Sequence, residues 1–257
     1  MMGSEVVYLV SGMSHCERLA VSLFSLRQHW DGPVRILDMG GADGLADRIA
    51  NFGDAAHERI RIRPPGKGKN AIYAAKASIG VFLKAKRNLF LDCDTTVHGG
   101  ISRLFELVDE HQLVVTRFSN WITTGNLLTS RLSKWARVKS DVMDVPGTVA
   151  RLIDEPHVAI NTGVFAVRNN CAFLADWPVL VSQNPGFICD EIAAQLLITK
   201  HRHVIVGDRW NHSAKFGEDK DPAIRHYHGR SHVDHPAWVA CRTEAVGCGF
   251  AGLEEWS

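Results

Sequence analysis

The 257-residue chain has almost no net charge, with 29 lysines and arginines against 28 aspartates and glutamates. A balanced chain projects no field that would recruit nucleic acid or anionic lipid, so no nucleic-acid partner is expected and any anion must be held by local groups. Long apolar runs are missing too. No stretch of about 18 apolar residues is available to span a bilayer, and the run at 5–10 is too short for a secretory core, which leaves peripheral membrane contact at most. The six cysteines, at 16, 93, 171, 189, 241 and 248, include no CxxC pair and no dense framework. Scattered thiols read as reduced, and the expected location is cytoplasmic. Internal repeats and low-complexity tracts are absent.

What is present is a chain that is 46% hydrophobic, enough for a sizeable core in one α/β domain. Its first part alternates apolar runs with helical spacing. A strand is expected at 6–10, and a helix over 17–30 where Leu19, Leu23, Leu26 and Trp30 share one face. A strand at 34–37, an amphipathic stretch around 45–52 and a strand at 60–62 continue the pattern. Such alternation implies parallel strands with crossover helices. A further helix over 70–85 leads into the apolar strand 88–91. Residues 117–157 read as loops and short helices that could shape an acceptor cleft. Beyond them a strand is expected at 160–167, interrupted by Gly163, and a helix at 189–200. The last 30 residues are rich in His, Gly and Trp without strong periodicity.

Asp92 and Asp94 stand two residues apart where strand 88–91 runs out, at the carboxyl edge where open α/β sheets bind ligands. Two neighbouring carboxylates repel one another, and a bound cation makes the pair favourable. Hard oxygen ligands select Mg2+ or Mn2+. A solvated pair capping the next helix is the plain alternative. The string Asp92-Cys93-Asp94-Thr95-Thr96-Val97 also resembles the first motif of haloacid-dehalogenase phosphatases, with Asp92 as nucleophile and Asp94 as general acid. Val206-Gly207-Asp208 looks like part of their later acidic motif, although Asn211 or His212 stands where a second acid belongs. That motif also tends to open the catalytic domain, whereas here three strand-helix units precede it.

Five segments taken together resemble the retaining GT-A glycosyltransferases of the glycogenin and lipopolysaccharide-galactosyltransferase type (family 8-like), in the family's order over almost the whole chain. Asp92-Cys93-Asp94 looks like the DxD metal motif, with Lys76 as the basic donor contact sixteen positions earlier. Ile160-Asn161-Thr162-Gly163-Val164-Phe165 resembles the NSGV segment that contacts the donor sugar. Cys189-Asp190-Glu191 resembles the DQ pair beside the reacting sugar. Asp208-Arg209-Trp210-Asn211 is similar to the late WN element, and His226-Tyr227-His228-Gly229-Arg230-Ser231-His232 to the HFxGxxK signature.

The resemblance implies a single GT-A domain with a mostly parallel sheet, residues 1–97 carrying the nucleotide and 98–257 the donor sugar and acceptor. It implies an enzyme that moves a hexose from a UDP-sugar to a saccharide or glycolipid acceptor, with retention of configuration. Asp92, Asp94 and His226 are then the metal ligands, and Asp190 and Glu191 the catalytic candidates. Leu9, Val10, Ser11 and His15 would hold the nucleoside, with His15 in the place of an aromatic that stacks on the base. Lys76, Asp92, Cys93, Asn161, Thr162, Gly163, Gly229 and His232 complete the donor contacts. An imidazole among oxygen ligands favours Mn2+, with Mg2+ second. A cation there stabilises the charge that develops on the leaving diphosphate.

Two positions depart from the family pattern. Glu191 replaces the usual glutamine and puts the donor sugar's identity in question. His232 replaces the lysine of the phosphate clamp, and no Pro-Trp follows it. A nucleotide-sugar-binding module without turnover is therefore a further reading. A zinc site built from His226, His228, His232, His235 and Cys241 is another, against which stands the lack of any standard finger spacing.

Overall fold

The computed structural model describes residues 3–12, 15–40, 55–61, 69–118, 126–155, 157–183, 190–215, 221–229 and 233–249. The strands are β1 (Ser4–Val10), β2 (Val34–Asp38), β3 (Ala55–Arg59), β4 (Arg87–Leu91), β5 (Thr95–Val97), β6 (Leu113–Arg117), β7 (Ile160–Arg168), β8 (Val204–Val206), β9 (His212–Ser213) and β10 (Ile224–His226). The helices are α1 (Cys16–Arg27), α2 (Lys69–Ala77), α3 (Ser102–His111), α4 (Asn126–Ser133), α5 (Val145–Asp154), α6 (Ala172–Ser182), α7 (Asp190–Leu197) and α8 (Pro236–Gly247).

Seven strands form the main sheet in the order β3-β2-β1-β4-β7-β6-β8. Its neighbours pair in parallel except where β7 runs against both β4 and β6. β1 shows how the sheet separates two cores, because side chains alternate across a strand. Val6, Tyr8 and Val10 pack with Leu19 and Leu23 of α1, Leu104 and Val108 of α3 and Trp238 of α8. Val7 and Leu9 face the other way, toward Ala74 of α2, Val149 of α5, Trp177 of α6 and Ile192 of α7. With both faces covered, the strands carry the near-continuous apolar runs that make them readable. Among the described residues no helix is long and apolar enough to cross a membrane.

Three expectations need correction. The third strand lies at Ala55–Arg59 rather than 60–62, and the Ile60 amide follows it by donating to Asp38. Among the described residues β3 is an edge strand paired with β2 alone, and its half-exposed Ala-Ala-His-Glu-Arg sequence has no apolar run to announce it. The helix expected over 70–85 ends at Ala77 and gives way to a 3-10 turn, Ile79–Phe82, where Gly80 packs against Leu174. The carboxy-terminal region contains α8, capped by His235, whose Nδ1 accepts from the Ala237 amide, and started by Pro236. Its polar and apolar residues are mixed around the helix, which hides it, but proline at the first helical position is a usable signal. A proline at the second helical position, Pro146, marks α5, whose N-cap Asp144 accepts from the Gly147 amide. The stretch at 45–52 lies outside the described residues.

Three features of this topology build one site. Asp92 follows the carboxyl end of β4, beside the equivalent end of its parallel neighbour β1. Antiparallel β7 brings its first residues to the same edge, where the Asp92 amide donates to the Gly163 carbonyl at 2.8 Å. A small sheet, β5-β10-β9, sets His226 opposite Thr95, and the Tyr227 amide donates to the Asp94 carbonyl at 2.8 Å.

Candidate active site

The sheet's carboxyl edge opens on a cleft of about 800 Å3. On one side, Asp92, Asp94 and His226 converge with one ligand atom each within 4.8 Å of the others. His226 Nε2 stands 3.2 Å from Asp94 Oδ1 and 3.8 Å from Asp92 Oδ2. The His226 ring is held from behind, where Nδ1 donates to Asn211 Oδ1 at 2.9 Å. Gly163 makes the approach possible: a Cβ on it would overlap the imidazole.

The charges here push one another apart. Burial raises the Asp92 carboxyl above its ordinary value, and Lys76 opposes this while Asp94 adds to it. Burial acts on Asp94 in the same sense, but the His226 imidazole outweighs it and holds Asp94 down to about 2. Burial lowers His226, yet the two carboxylates leave it above the usual imidazole range. Two carboxylates and one imidazole nitrogen facing a common point are a donor set that a divalent cation fits.

Lys76 joins this corner to the next. Its ammonium bonds both Asp92 oxygens, at 2.8 and 3.0 Å, and lies 3.5 Å from Asp190 Oδ2, over the face of the Phe90 ring. The side chain is only 8% exposed. Burial lowers its pKa, but the carboxylates of Asp92 and Asp190 overcome this and hold it above the ordinary lysine value. Thr162 donates its hydroxyl to Asp190 Oδ2 at 2.7 Å, and the Trp177 indole donates to the Asp190 backbone carbonyl.

Glu191 sits alongside with both oxygens engaged. Oε1 accepts from Asn161 Nδ2 at 2.9 Å, and Oε2 pairs with Arg131 of α4 at 3.0 Å. Burial raises its carboxyl, with Arg131 opposing and Asp190 adding. Gln195 ties α7 to the start of β7, accepting from the Ile160 amide and donating to the Val158 carbonyl. That clamp fixes the two carboxylates of α7 against Asn161 and Thr162.

At the far end, Leu9, Ser11 and His15 line the cleft, with His15 Nδ1 donating to the Ser11 carbonyl at 2.6 Å. Cys93 donates its thiol to the Leu9 carbonyl, and burial, reinforced by Asp92 and Asp94, pushes that thiol well up, so it is a neutral wall. Of the residues singled out from the sequence, Leu9, Ser11, His15, Lys76, Asp92, Cys93, Asp94, Asn161, Thr162, Asp190, Glu191, His226 and Gly229 come together in this one cleft. Val10 is fully buried among core side chains, with its carbonyl accepting from the Met39 amide, and Gly163 stands behind His226. His232 lies outside the described residues.

Arg18, Ile72, Tyr73, Phe90, Arg131 and His228 also line the cleft and are not among the site residues expected from the sequence. Tyr73 lies three residues from Lys76 on the same helix face, so helical periodicity could have found it. His228, two residues beyond His226, packs against it with the rings tilted by 41° and their centroids 3.9 Å apart. Burial and then His226 lower its pKa to about 3, so it is neutral. Nothing local marks Arg131. The rival motifs disperse: Asp208 is exposed next to edge strand β8, three strands from β4, and Cys241 donates to the Val21 carbonyl. Among the described residues the metal-capable cluster is Asp92, Asp94 and His226.

No protein-family model matches the chain, and no curated protein is significantly similar to it in sequence. Solved structures are similar in fold. One is the galactosyltransferase LgtC in complex with donor and acceptor sugar analogues, at 15% identity and a TM-score of 0.65, covering 98% of each chain. A second is an active-site mutant of LgtC, glutamine to glutamate, at 15% identity and a TM-score of 0.65 over 95% of each chain. A third is mouse xyloside xylosyltransferase 1, at 12% identity and a TM-score of 0.60, covering 90% of this chain and 99% of the other. At these identities the likeness is one of fold, and by fold the chain is an α/β protein of the GT-A type.

Proposed function

We propose that this protein is a metal-dependent glycosyltransferase that moves a hexose from a UDP-sugar to a saccharide or glycolipid acceptor. The observation that carries it is the convergence of Asp92, Asp94 and His226 on a cleft that also holds the Lys76–Asp190 pair. The fold neighbours, a galactosyltransferase and a xylosyltransferase, point the same way. Asp92, Asp94 and His226 hold Mn2+, with Mg2+ as second choice. Such an ion supplies Lewis-acid stabilisation of the departing diphosphate, worth several kcal/mol.

The remaining work falls to the chain itself. Lys76 keeps Asp92 ionised and oriented, and it adds a fixed positive charge where the diphosphate lies. Asp190, steered by Thr162 and Lys76, is the carboxylate nearest the reacting sugar and orients donor and acceptor. Glu191, fixed by Arg131 and Asn161, lines the sugar pocket. Leu9, Ser11 and His15 receive the nucleoside, and Gly229 lies along the diphosphate. Transfer proceeds with retention of configuration, in the cytoplasm, with residues 1–97 and 98–257 forming the two halves of one catalytic unit.

A panel of UDP-sugars with Mn2+, scored for free UDP and for the anomeric configuration of the product, tests this. UDP release from one sugar, lost with a chelator, is the expected outcome. Binding of UDP and Mn2+ without release from any sugar would identify a binding module instead. Phosphate release from simple esters with a trapped phosphoryl-Asp92 would establish the phosphatase reading.

A further inference from the structure

We infer that Asn211 is a positioning residue that locks the His226 imidazole in the one tautomer able to ligate a metal. The inference rests on the reading of Asp92, Asp94 and His226 as ligands of a divalent cation. An imidazole binds a metal through an unprotonated nitrogen, and its other nitrogen must then carry the proton. Which nitrogen that is cannot be read from the ring, since its neighbours decide it.

Here the neighbours decide it through two anchors that have no choice of role. The first is the Gly163 amide, a backbone donor, which bonds Asn161 Oδ1 at 2.8 Å. That contact identifies the Asn161 atom as oxygen. Asn211 approaches the same oxygen at 2.9 Å, so the approaching atom is its amide nitrogen. The second anchor is Thr116, whose hydroxyl donates to the Val164 carbonyl at 2.8 Å. With its single proton directed there, Thr116 Oγ1 can only accept from Asn211 Nδ2, at 2.7 Å.

Both anchors therefore turn the Asn211 carbonyl oxygen toward His226. That oxygen accepts, so His226 Nδ1 donates, at 2.9 Å. The Nε2 lone pair is left on the side of Asp92 and Asp94. Asn211 is 1% exposed, so water does not compete for these bonds. The register shift supplies the geometry: β6 pairs Val115 with Phe165 but Thr116 with Asn161, so Gly163 falls among the extra residues of β7, and its amide meets Asn161 Oδ1.

The test compares Asn211→Leu, which removes acceptor and donor together, with Asn211→Asp, which keeps the acceptor and loses the donor. Mn2+ affinity is measured by electron paramagnetic resonance on the full chain, with thermal melting in parallel. Asn211→Leu should weaken Mn2+ binding about 10- to 100-fold, the usual loss when a ligand histidine's partner is removed. Asn211→Asp should melt lower, because its second oxygen faces Asn161 Oδ1, yet bind Mn2+ at least as tightly as the wild type. In the Mg2+-loaded wild type, nitrogen-15 resonances should place the His226 proton on Nδ1. Wild-type affinity in Asn211→Leu, or affinity in Asn211→Asp as weak as in Asn211→Leu, overturns the inference. Should Asn211→Leu not fold, the affinity of Asn211→Asp decides alone. A wild-type protein that binds no Mn2+ sinks the metal site itself and the inference with it.

Discussion

Two neighbouring corners of the cleft are built on opposite electrostatic rules. In the corner proposed for the donor sugar the described charges have their partners: Lys76 lies between Asp92 and Asp190, and Glu191 between Arg131 and Asn161. In the metal corner Asp92, Asp94 and His226 face one another with their pKa values driven apart. The first arrangement is complete within the chain. The second becomes balanced when a dication joins it, so the two corners should respond differently to mutation, metal and pH.

The largest expected effect is in the metal corner. Asp92→Asn or Asp94→Asn should cut Mn2+-dependent transfer by about 1,000-fold or more, the several kcal/mol an ion supplies to a leaving group. Circular dichroism should show both variants folded. Full Mn2+-dependent turnover in either one would remove the distinction between the corners.

A second experiment separates the two charge pairs of the sugar side by their stability. Lys76→Met removes a buried ammonium from buried Asp190 and from Asp92, whose carboxylate is 30% exposed, and should cost about 3 kcal/mol in denaturant unfolding. Arg131→Met removes a partner whose side chain is 30% exposed, and it should cost about 1 kcal/mol or less. Equal losses would mean that Lys76 is no more deeply committed than a surface partner.

Gly163→Ala probes the metal corner without touching a ligand. The added methyl displaces the His226 ring, so Mn2+ affinity should fall about 10- to 100-fold by calorimetry. Unchanged affinity would show that His226 is not held where the geometry puts it.

The smallest effect is one of pH. His226 is raised above its unfolded value of about 6.5, so its contribution to metal-free stability is complete below that value and is lost as pH rises through the raised one. Asp94 runs the other way. Held to about 2, it contributes fully above the unfolded carboxylate value of about 3.9 and loses that contribution as pH falls toward 2. Mn2+ competes with the His226 proton, so its affinity should rise with pH by at most about tenfold per unit and level off above the raised value. Flat affinity across that range in a calorimetric series would exclude His226 as a ligand.

Much of this is legible in the order of the amino acids. β1, β2 and β4 are buried on both faces and are mostly apolar, and the end of the apolar run of β4 locates Asp92 and Asp94 at a strand end. His226 and Asp190 are recognisable from the pattern of their neighbours. β3 and α8 are not, because an edge strand and a helix of mixed faces carry no periodic apolar signal. Arg131 is invisible for another reason: its partner Glu191 is sixty residues away, and nothing local marks a long-range ion pair.

The sequence by itself determined the chemistry on offer: an α/β chain, an acidic pair at the end of a buried strand, and a late histidine. Each is a consequence of local composition, since apolar runs and charge spacing act over a few residues. Only the tertiary structure decided how those groups meet. The antiparallel return of β7, the bulge opposite Thr116 and the pairing of β10 with β5 link residues 92, 163, 161, 211 and 226 in one series of contacts. Which His226 nitrogen faces the carboxylates follows from a glycine amide and a threonine hydroxyl distant in sequence, because hydrogen-bond direction is settled by packed neighbours and not by the residue's own type.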